Sequence, residues 1–239
     1  MKVLIPMAGA GSRFAQEGYT FPKPLIDVNG KPMIQTVVEN LDFDCEYIFL
    51  VRKEHIEQYS GIIDTLDRIT NGKFKYIVVE GLTEGAACTA LLAEEYINDD
   101  EDLLIANSDQ YIEYASQNFV MLKNLSTCDA IVFTFNAVHP KWSFVKTNSR
   151  GFVTEVAEKR PISNIATCGI YWYRHGFDFV KHAKQMIDKN IRVNNEFYIA
   201  PVYNELIGSG KTLVPFYVHN MWGIGTPEDL RYFLEKSKQ

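Results

Sequence analysis

The sequence lacks the features that mark membrane-spanning, secreted and metal-cluster proteins. No apolar run approaches the roughly 20 residues needed to cross a bilayer. The short apolar segment at the start breaks into glycines instead of continuing as a signal peptide. The four cysteines are far apart and form no CxxC pair, and the five histidines show no HxxxH spacing. We therefore expect a cytoplasmic protein with reduced thiols and without a zinc site.

The sequence also has no excess of basic residues. Its formal net charge is −6 at pH 7, which argues against binding to nucleic acid or to a membrane surface, because both attract a basic face. Its 239 residues, 46% of them hydrophobic, are enough for one α/β domain with a substantial core. Since no linker rich in Gly, Ser or Pro interrupts the chain, we predict a single domain over residues 1–239.

The first half contains alternating strand-like and helix-like segments. Runs rich in Val, Ile, Leu and aromatic residues predict strands at Val3–Met7, Tyr47–Val51, Lys75–Glu80 and Asp102–Ala106. Helical patterns lie between them at Pro32–Leu41, Lys53–Ile69 and Gly85–Ile97. Helical crossovers between strands indicate a parallel sheet with helices on both faces, and ligands bind such sheets at the carboxyl edge of the strands.

The second half is richer in strands. We predict strands at Asp129–Val138, Ser143–Thr147, Gly151–Val156, Ile165–Tyr173 and Thr212–Val218, with a hairpin turn at Lys146–Gly151. Helices are predicted at Phe177–Lys189, Glu196–Gly208 and Pro227–Lys236. The predicted fold class is therefore α/β, with a Rossmann-like mixed, mainly parallel sheet flanked by helices and a β-rich second part.

The first strand runs directly into a loop of small residues. The loop residues are Met7, Ala8, Gly9, Ala10, Gly11 and Ser12. Such a loop can bring backbone N–H groups against phosphates, although it lacks the GK[ST] of a Walker loop, and an isolated GxG also suits a plain β-to-α turn. Arg13 and Lys23 favour phosphate binding. A guanidinium can hold two phosphate oxygens, and the prolines on either side of Lys23 limit where its ammonium can go.

Asp109 follows the fourth predicted strand. A carboxylate just past the end of a buried strand lies on the ligand edge of the sheet. Magnesium is commonly held by one or two carboxylates plus substrate phosphates. Asp109 is therefore a candidate magnesium ligand, and a loop or helix-capping aspartate is the open alternative.

Taken together, these motifs resemble the sugar-phosphate nucleotidylyltransferase family. The family's strand, GxGxR and Pro-Lys signature corresponds here to Gly9, Gly11, Arg13, Pro22 and Lys23. Asp109 resembles the family's magnesium aspartate, and Glu158–Pro161 resembles its Glu-Lys-Pro segment. The segment Gly225–Leu230 matches the family's late Gly-Thr-Pro-Glu-Asp-Leu sequence. The matches run in order from residue 3 to residue 230. They are most similar to the small single-domain branch found with bacterial capsule and surface-polysaccharide genes.

The resemblance implies an enzyme that transfers a nucleoside monophosphate from an NTP to the phosphate of a small acceptor and releases pyrophosphate, with Mg²⁺ as cofactor. Residues 1–125 would bind the nucleotide and residues 126–239 the acceptor. Arg13 would stabilise the departing pyrophosphate, Lys23 would neutralise the α-phosphate, Asp109 would hold the magnesium, and Lys159 would anchor the acceptor phosphate. Such a reaction needs no general base, because a phosphate monoester with a second pKa of about 6 is already dianionic at neutral pH.

The acceptor is expected to contact hydrogen-bonding side chains of the second half and of the fourth strand end. The candidates are Asn107, Gln110, Glu158, Asn195 and Glu196. Five aromatic residues either stack on the acceptor or belong to the core: Trp142, Tyr171, Trp172, Tyr173 and Tyr198.

One position departs from the family pattern. Family members often have a second metal-binding aspartate two residues before the late Gly-Thr, and this chain has Gly223 there. Glu196 is a candidate substitute for that carboxylate. Asn195 and Glu196 also suit a helix cap followed by a first-turn acid, which is the alternative interpretation.

The resemblance places recognition of the base at Glu80, Gly85 and Ala86, after the third predicted strand. An ionised Glu80 only accepts hydrogen bonds, so it matches the amino groups of cytosine or guanine better than uracil, unless it is simply a solvated strand-end residue. The Met7–Phe14 loop resembles that of capsule-cluster cytidylyltransferases, one of which acts on phosphoglutamine. We expect CTP, or GTP as the alternative, and a sugar 1-phosphate or phosphoamino acid acceptor.

Two other functions remain open from the sequence. A glycosyltransferase would use a nucleotide-sugar and a DxD metal clamp, but Asp109 has no second aspartate two residues away. A non-catalytic nucleotide sensor would be expected to lose its catalytic side chains, and only Gly223 supports that interpretation. The many aromatic residues also leave room for a homodimer face.

Overall fold

The computed structural model describes residues 1–237. The strands are β1 Lys2–Pro6, β2 Asp27–Val28, β3 Lys31–Pro32, β4 Glu46–Arg52, β5 Phe74–Val79, β6 Leu103–Ala106, β7 Gln110–Glu113, β8 Ala130–Asn136, β9 Ser143–Thr147, β10 Val153–Glu158, β11 Ile165–Tyr173, β12 Leu213–Tyr217 and β13 Asn220–Gly223. The helices are α1 Ser12–Gln16, α2 Met33–Leu41, α3 Lys53–Gln58, α4 Gly61–Thr70, α5 Ala86–Leu91, α6 Glu94–Ile97, α7 Ser116–Leu125, α8 Gly176–Asp188, α9 Val202–Gly208 and α10 Pro227–Lys236. Within these residues, no helix has the length and apolar character to cross a membrane.

One mixed sheet runs through the described part of the chain. Its strand order is β10-β9-β11-β6-β1-β4-β5, and β8 pairs with both β11 and β12. Strands β6, β1, β4 and β5 are parallel, whereas β11 pairs antiparallel with β6 and so joins the second half to the first. The predicted Rossmann-like mixed sheet with a β-rich second part is confirmed, and the predicted β9–β10 hairpin is present.

The central strands are buried on both faces. Side chains alternate between the two faces of a strand, so Val3 and Ile5 of β1 pack into one core and Leu4 packs into the other. Because helices cover both faces, these strands consist almost entirely of apolar residues. The loops at the carboxyl ends of β1 and β6 therefore follow strands that are buried on both faces.

A two-stranded ribbon lies beside the carboxyl end of β6. Strand β7 begins four residues after β6 ends and pairs antiparallel with β13, with Gln110 opposite Gly223. The Ile224 N–H continues the ribbon by donating to the Asp109 carbonyl oxygen at 2.9 Å. The ribbon thus brings the segment from Gly223 onwards against Asp109, more than 100 residues earlier in the sequence.

Some predicted helices differ from the structure. Lys53–Ile69 is divided into α3 and α4, and Gly85–Ile97 into α5 and α6. The predicted helix Glu196–Gly208 begins only at Val202, because the backbones of Val193 and Glu196 pair across a tight turn. Asn194 and Asn195 form that turn with positive φ values of 48° and 64°. The interpretation of Asn195 and Glu196 as a helix cap with a first-turn acid is therefore wrong.

Candidate active site

The carboxyl ends of β1 and β6 open into a cavity of about 480 Å³. The cavity walls come from the first half of the chain at the loop after β1, the turn at Lys23, the start of α5 and the segment after β6. The second half contributes residues of β9 to β11, the segment around Tyr198 and the region from β13 to α10. The structure brings the four predicted catalytic residues together in this cavity: Arg13, Lys23, Asp109 and Lys159. A second cavity, of about 1110 Å³, lies by the other face of the β7–β13 ribbon and is lined by different residues.

The loop after β1 forms one wall. Met7 is buried and lines the cavity together with the exposed Gly9. The chain then enters α1 through Gly11, whose φ of 62° is left-handed, and the exposed Arg13 stands in the first turn of this helix. The other predicted residues of this loop do not line the cavity: Ala8, Ala10, Gly11 and Ser12. The wall therefore presents backbone groups and one guanidinium.

Lys23 is held rigidly at the cavity. It opens a short 3-10 turn, Lys23–Leu25, with Pro22 in an extended conformation before it and Pro24 after it. Its ammonium forms an ion pair with Asp109 Oδ2, and the side chains are 22% and 26% exposed. The two prolines limit the backbone around Lys23, so its side chain has few alternative positions.

Gly225 lies directly against the Asp109 carboxylate. A β-carbon on Gly225 would overlap Asp109 Oδ2 and lie 2.8 Å from its Cγ, so only glycine permits this approach. The Ile224 N–H bond to the Asp109 carbonyl fixes the two backbones against each other. The Asp109 carboxylate is therefore confined between a lysine and a glycine.

Glu158 and Lys159, at the end of β10, form the opposite wall. Burial raises the pKa of the Glu158 carboxyl; the hydrogen bond from Ser143 and the charge of Lys159 oppose this shift, and Glu196 adds to it. Lys159 has a left-handed φ of 53°. Its ammonium donates to the Tyr198 hydroxyl at 2.5 Å and lies 4.5 Å from the centre of the Tyr198 ring. Tyr198 therefore sets the direction of Lys159.

The floor of the cavity has polar groups without partners. Gln110 lines the cavity and is 2% exposed, and neither atom of its amide finds a hydrogen-bond partner within residues 1–237. Asn107 lies beside it, and its N–H donates to the Gly169 carbonyl oxygen at 2.9 Å. An unpaired buried amide is costly, so the floor is suited to a polar occupant.

The chain matches one protein family over nearly its whole length. The model of that family, described as "Nucleotidyl transferase", matches residues 2–237. The chain belongs to the nucleotidyl transferase family. The family predicted from the sequence motifs is thereby confirmed.

Curated relatives are similar over most of this chain. It is 25% identical over 244 residues to the bifunctional protein GlmU of Methanocaldococcus jannaschii, covering 99% of this chain and 55% of that protein. It is 26% identical over 246 residues to the UTP–glucose-1-phosphate uridylyltransferase AglF of Haloferax volcanii, covering 96% of this chain and 93% of that one. The chain thus spans about half the length of the first relative.

Solved structures show the same fold. A nucleoside-diphosphate-sugar pyrophosphorylase from Vibrio cholerae RC9 superposes with a TM-score of 0.80 at 23% identity, covering 98% of this chain and 99% of that chain. A UDP-glucose pyrophosphorylase complexed with UDP-glucose superposes with a TM-score of 0.80 at 19% identity, covering 99% and 98%. The predicted fold class is confirmed by these likenesses.

Several predicted site residues of this nucleotidyl transferase family member lie outside the cavity. Glu80 is 73% exposed and its carboxylate pairs with the Lys53 ammonium at 2.8 Å. Asn195 and Glu196 are exposed on the tight turn between Val193 and Glu196. Glu196 still lies near enough for its charge to raise the pKa of Glu158. Of the three residues predicted to recognise the base, Ala86 lines the cavity.

Gly85 shapes the wall without lining it. It has a φ of 136°, and a β-carbon there would collide with the Phe197 backbone. The Phe197 N–H donates to the Glu84 carbonyl oxygen at 2.8 Å, and the Ala87 N–H donates to the Phe197 carbonyl oxygen at 3.0 Å. Gly85 thus lets the start of α5 pack directly on the chain that leads to Tyr198.

Several residues of the cavity were not predicted from the sequence or were left open. Of the five aromatic candidates, Trp142, Tyr171 and Tyr198 line it, whereas Trp172 and Tyr173 are core residues. Lys141, Ser143, Thr167 and Asp229 line it and were not predicted. Asp229 belongs to the Gly225–Leu230 segment, so a signal for that part of the wall was present in the motif itself.

The donor set suits a magnesium ion. Within residues 1–237, no three His, Cys, Asp or Glu side chains converge on one point. Magnesium needs no such cage, because it uses one or two carboxylates and completes its shell with water and substrate phosphates. Asp109 supplies a carboxylate oxygen donor on the cavity wall.

Proposed function

We propose that this nucleotidyl transferase moves a nucleoside monophosphate from an NTP to the phosphate of a small acceptor, a sugar 1-phosphate or a phosphoamino acid, and releases pyrophosphate. The observation that carries the proposal is the convergence of Arg13, Lys23, Asp109 and Lys159 on one cavity. The name of one relative, a UTP–glucose-1-phosphate uridylyltransferase, supports a sugar phosphate as the acceptor.

The chemistry is an in-line displacement at the α-phosphorus. An oxygen of the acceptor phosphate forms the new P–O bond, and the bond between the α-phosphorus and the bridging oxygen to the β-phosphate breaks. The acceptor phosphate is largely dianionic at neutral pH, so no side chain has to remove a proton. Catalysis then consists of positioning and of neutralising charge at the reacting phosphates.

The cations divide this work between the two walls. Arg13, beside the loop after β1, is suited to hold the departing pyrophosphate by two parallel hydrogen bonds. Lys159, on the opposite wall, is suited to anchor the acceptor phosphate. Lys23 lies next to Asp109 at the carboxyl end of β6, where the α-phosphate would meet the acceptor.

Asp109 is the residue that would hold Mg²⁺ in this cavity. When bound, the ion would supply positive charge to the phosphate oxygens at which negative charge develops. The carboxylate keeps free lone pairs while one of its oxygens accepts from Lys23. Lys23 also keeps the buried part of the carboxylate neutralised before substrates arrive.

The acceptor would be recognised by the polar floor. Gln110 and Asn107 can donate and accept, and Glu158 with its raised pKa can accept from acceptor hydroxyl or amine groups when ionised. Leaving the Gln110 amide unpaired in the absence of an acceptor costs stability that binding would recover.

We propose CTP as the nucleotide, on the form of the Met7–Phe14 loop. The Glu80 carboxylate gives this preference little support, because it is exposed and paired with Lys53 outside the cavity. UTP is the second candidate, and the similarity to AglF over 96% of this chain supports it. We further propose that the reaction occurs in the cytoplasm, in a homodimer, and supplies precursors for a surface polysaccharide.

The test is pyrophosphate release with Mg²⁺, each of CTP, UTP, GTP, dTTP and ATP in turn, and a panel of sugar 1-phosphates and phosphoamino acids. Acceptor-dependent pyrophosphate with one nucleotide is the expected result. Nucleotide binding without pyrophosphate for any acceptor would favour a sensor. Release of a nucleoside diphosphate from a nucleotide-sugar would instead identify a glycosyltransferase.

A further inference from the structure

Gly223 leaves one position of the cavity wall without a side chain, and this position is called the gap. It is the last residue of β13, lines the cavity beside Gly225 and lies opposite Gln110 in the ribbon. The motif resemblance leads us to expect a second metal-binding aspartate at this position. Its φ lies outside the left-handed range, so its backbone would accept a side chain.

The carboxylate of Asp229 reaches towards this gap from another element. Asp229 stands in the first turn of α10 and lines the same cavity. A β-carbon at position 223 would lie 3.6 Å from Asp229 Oδ2 and 3.2 Å from Cη2 of Trp142. A carboxylate from α10 thus lies where a side chain of residue 223 would extend.

Asp229 is bound in the same manner as Asp109. Each carboxylate has a lysine counter-ion: Lys23 for Asp109, and Lys141 at 2.7 Å for Asp229. The Asp229 side chain is 28% exposed and also accepts from the Thr226 hydroxyl at 2.9 Å. A carboxylate has about four acceptor positions, so two remain for another ligand. Asp229 therefore offers free carboxylate lone pairs in the same cavity as Asp109.

Gln110 independently indicates that this part of the cavity has a polar occupant. It follows Asp109 directly, pairs with Gly223, and leaves both atoms of its buried amide without a partner in the described residues. A hydrated cation with its phosphate ligands would offer both hydrogen-bond donors and acceptors to this amide. The amide has two donors and two acceptor lone pairs, so it can bind these ligands as well as the acceptor of the proposed reaction.

We propose that Asp229 supplies the second carboxylate of a divalent-cation site with Asp109, in place of the side chain that Gly223 lacks. The proposal deepens the proposed function, since the cation would serve the reacting phosphates. The alternative is that Asp229 only stabilises the start of α10 through Thr226. That role would leave the binding of a metal unchanged.

The test is a titration with Mn²⁺, followed by the electron paramagnetic resonance signal of the free ion, with and without inorganic pyrophosphate. Asp229→Asn keeps the shape and the backbone N–H that bonds Thr226, and it removes the charge and turns one carboxylate oxygen into a donor. Glu228→Gln is the matched control, because it removes the same charge from an exposed neighbour in the same turn. Gly223→Asp in the Asp229→Asn background restores a carboxylate to the gap.

We expect Asp229→Asn to weaken Mn²⁺ binding by roughly tenfold or more, Glu228→Gln to leave it unchanged, and the double variant to recover most of the loss. Equal affinity of wild type and Asp229→Asn would overturn the proposal, as would an equal loss in Glu228→Gln or no binding by wild type. A folded double variant without recovery would also contradict it. If Trp142 prevents this variant from folding, the first two variants decide.

The metal titration needs no turnover, so its outcome is separate from that of the proposed reaction. Mn²⁺ binding that depends on Asp229, without pyrophosphate release, would support the cation site of Asp109 and Asp229 and reject the proposed function. Pyrophosphate release by the wild type, with unchanged Mn²⁺ binding in Asp229→Asn, would support the proposed function and reject the cation site.

Discussion

Replacing Gly225 by alanine should displace the Asp109 carboxylate, although Asp109 itself is not substituted. The new β-carbon would overlap Asp109 Oδ2 and lie 2.8 Å from Cγ and 3.2 Å from Cβ, so the whole side chain would have to turn away. The backbones cannot separate easily, because the Ile224 N–H is bonded to the Asp109 carbonyl oxygen. The ion pair between Lys23 and Asp109 would break with this movement.

The expected magnitude follows from the lost contacts. Loss of a positioned charged group at reacting phosphates lowers kcat by roughly 10²-fold or more, about 2.7 kcal/mol of transition-state stabilisation. Overpacking by one methyl group costs about 1–3 kcal/mol of stability, which lowers the melting temperature by about 2–4 °C per kcal/mol in a chain of this size. The protein should therefore remain folded while losing most of its activity.

The assay is pyrophosphate release by Gly225→Ala, Asp109→Asn and the double variant, with melting temperatures for each. Because both changes act through the same carboxylate, the double variant should be no slower than Asp109→Asn alone. Gly208→Ala is the control, since a β-carbon on Gly208, at the end of α9, meets no atom within 4 Å. Near-normal kcat in Gly225→Ala would refute the assigned position of Asp109.

The remaining predictions concern the other walls of the cavity. Arg13→Ala and Lys23→Ala should each lower kcat by roughly 10²–10³-fold with little change in melting temperature; unchanged kinetics would remove both residues from the mechanism. Tyr198→Phe should raise the acceptor KM more than it lowers kcat, because Lys159 loses its 2.5 Å hydroxyl partner; an effect on the nucleotide KM alone would contradict this. Burial raises the pKa of Glu158, so the folded protein keeps this proton to higher pH than the unfolded chain does. The free energy of unfolding therefore falls as the pH rises from the pKa of the unfolded chain through that of the folded protein. Glu158→Gln should therefore have a higher melting temperature than wild type at about pH 8 but not at about pH 4. The same difference in melting temperature at both pH values would show that Glu158 is not effectively buried.

The parts of the site that depend on local sequence could be predicted. The loop after β1 follows a buried strand, the Pro22–Pro24 frame is a local proline pattern, and Asp109 lies just past the end of β6. Strand residues with both faces covered form apolar runs, so β1, β4 and β6 were recognisable within one or two residues.

The parts that depend on contacts between distant segments could not be predicted. Nothing near Glu80 in the sequence indicates that Lys53 pairs with it, and nothing near Asp229 indicates its approach to Gly223. The tight turn at Asn194–Asn195 replaced a predicted helix start, because two residues with positive φ suit a hairpin turn. Helix α7 was missed because it buries only Ser116 and Phe119 and so shows little apolar periodicity.

The central claim is that an acceptor phosphate attacks the α-phosphorus of an NTP in this cavity. The most direct measurement is ³¹P NMR of the wild-type protein with Mg²⁺, CTP or UTP, and the acceptor pool. We predict equal growth of pyrophosphate and of a new diphosphate that links nucleoside and acceptor, both roughly 10²–10³-fold slower in Arg13→Ala. Orthophosphate or free nucleoside monophosphate as the product, or no product with any acceptor, would contradict the account.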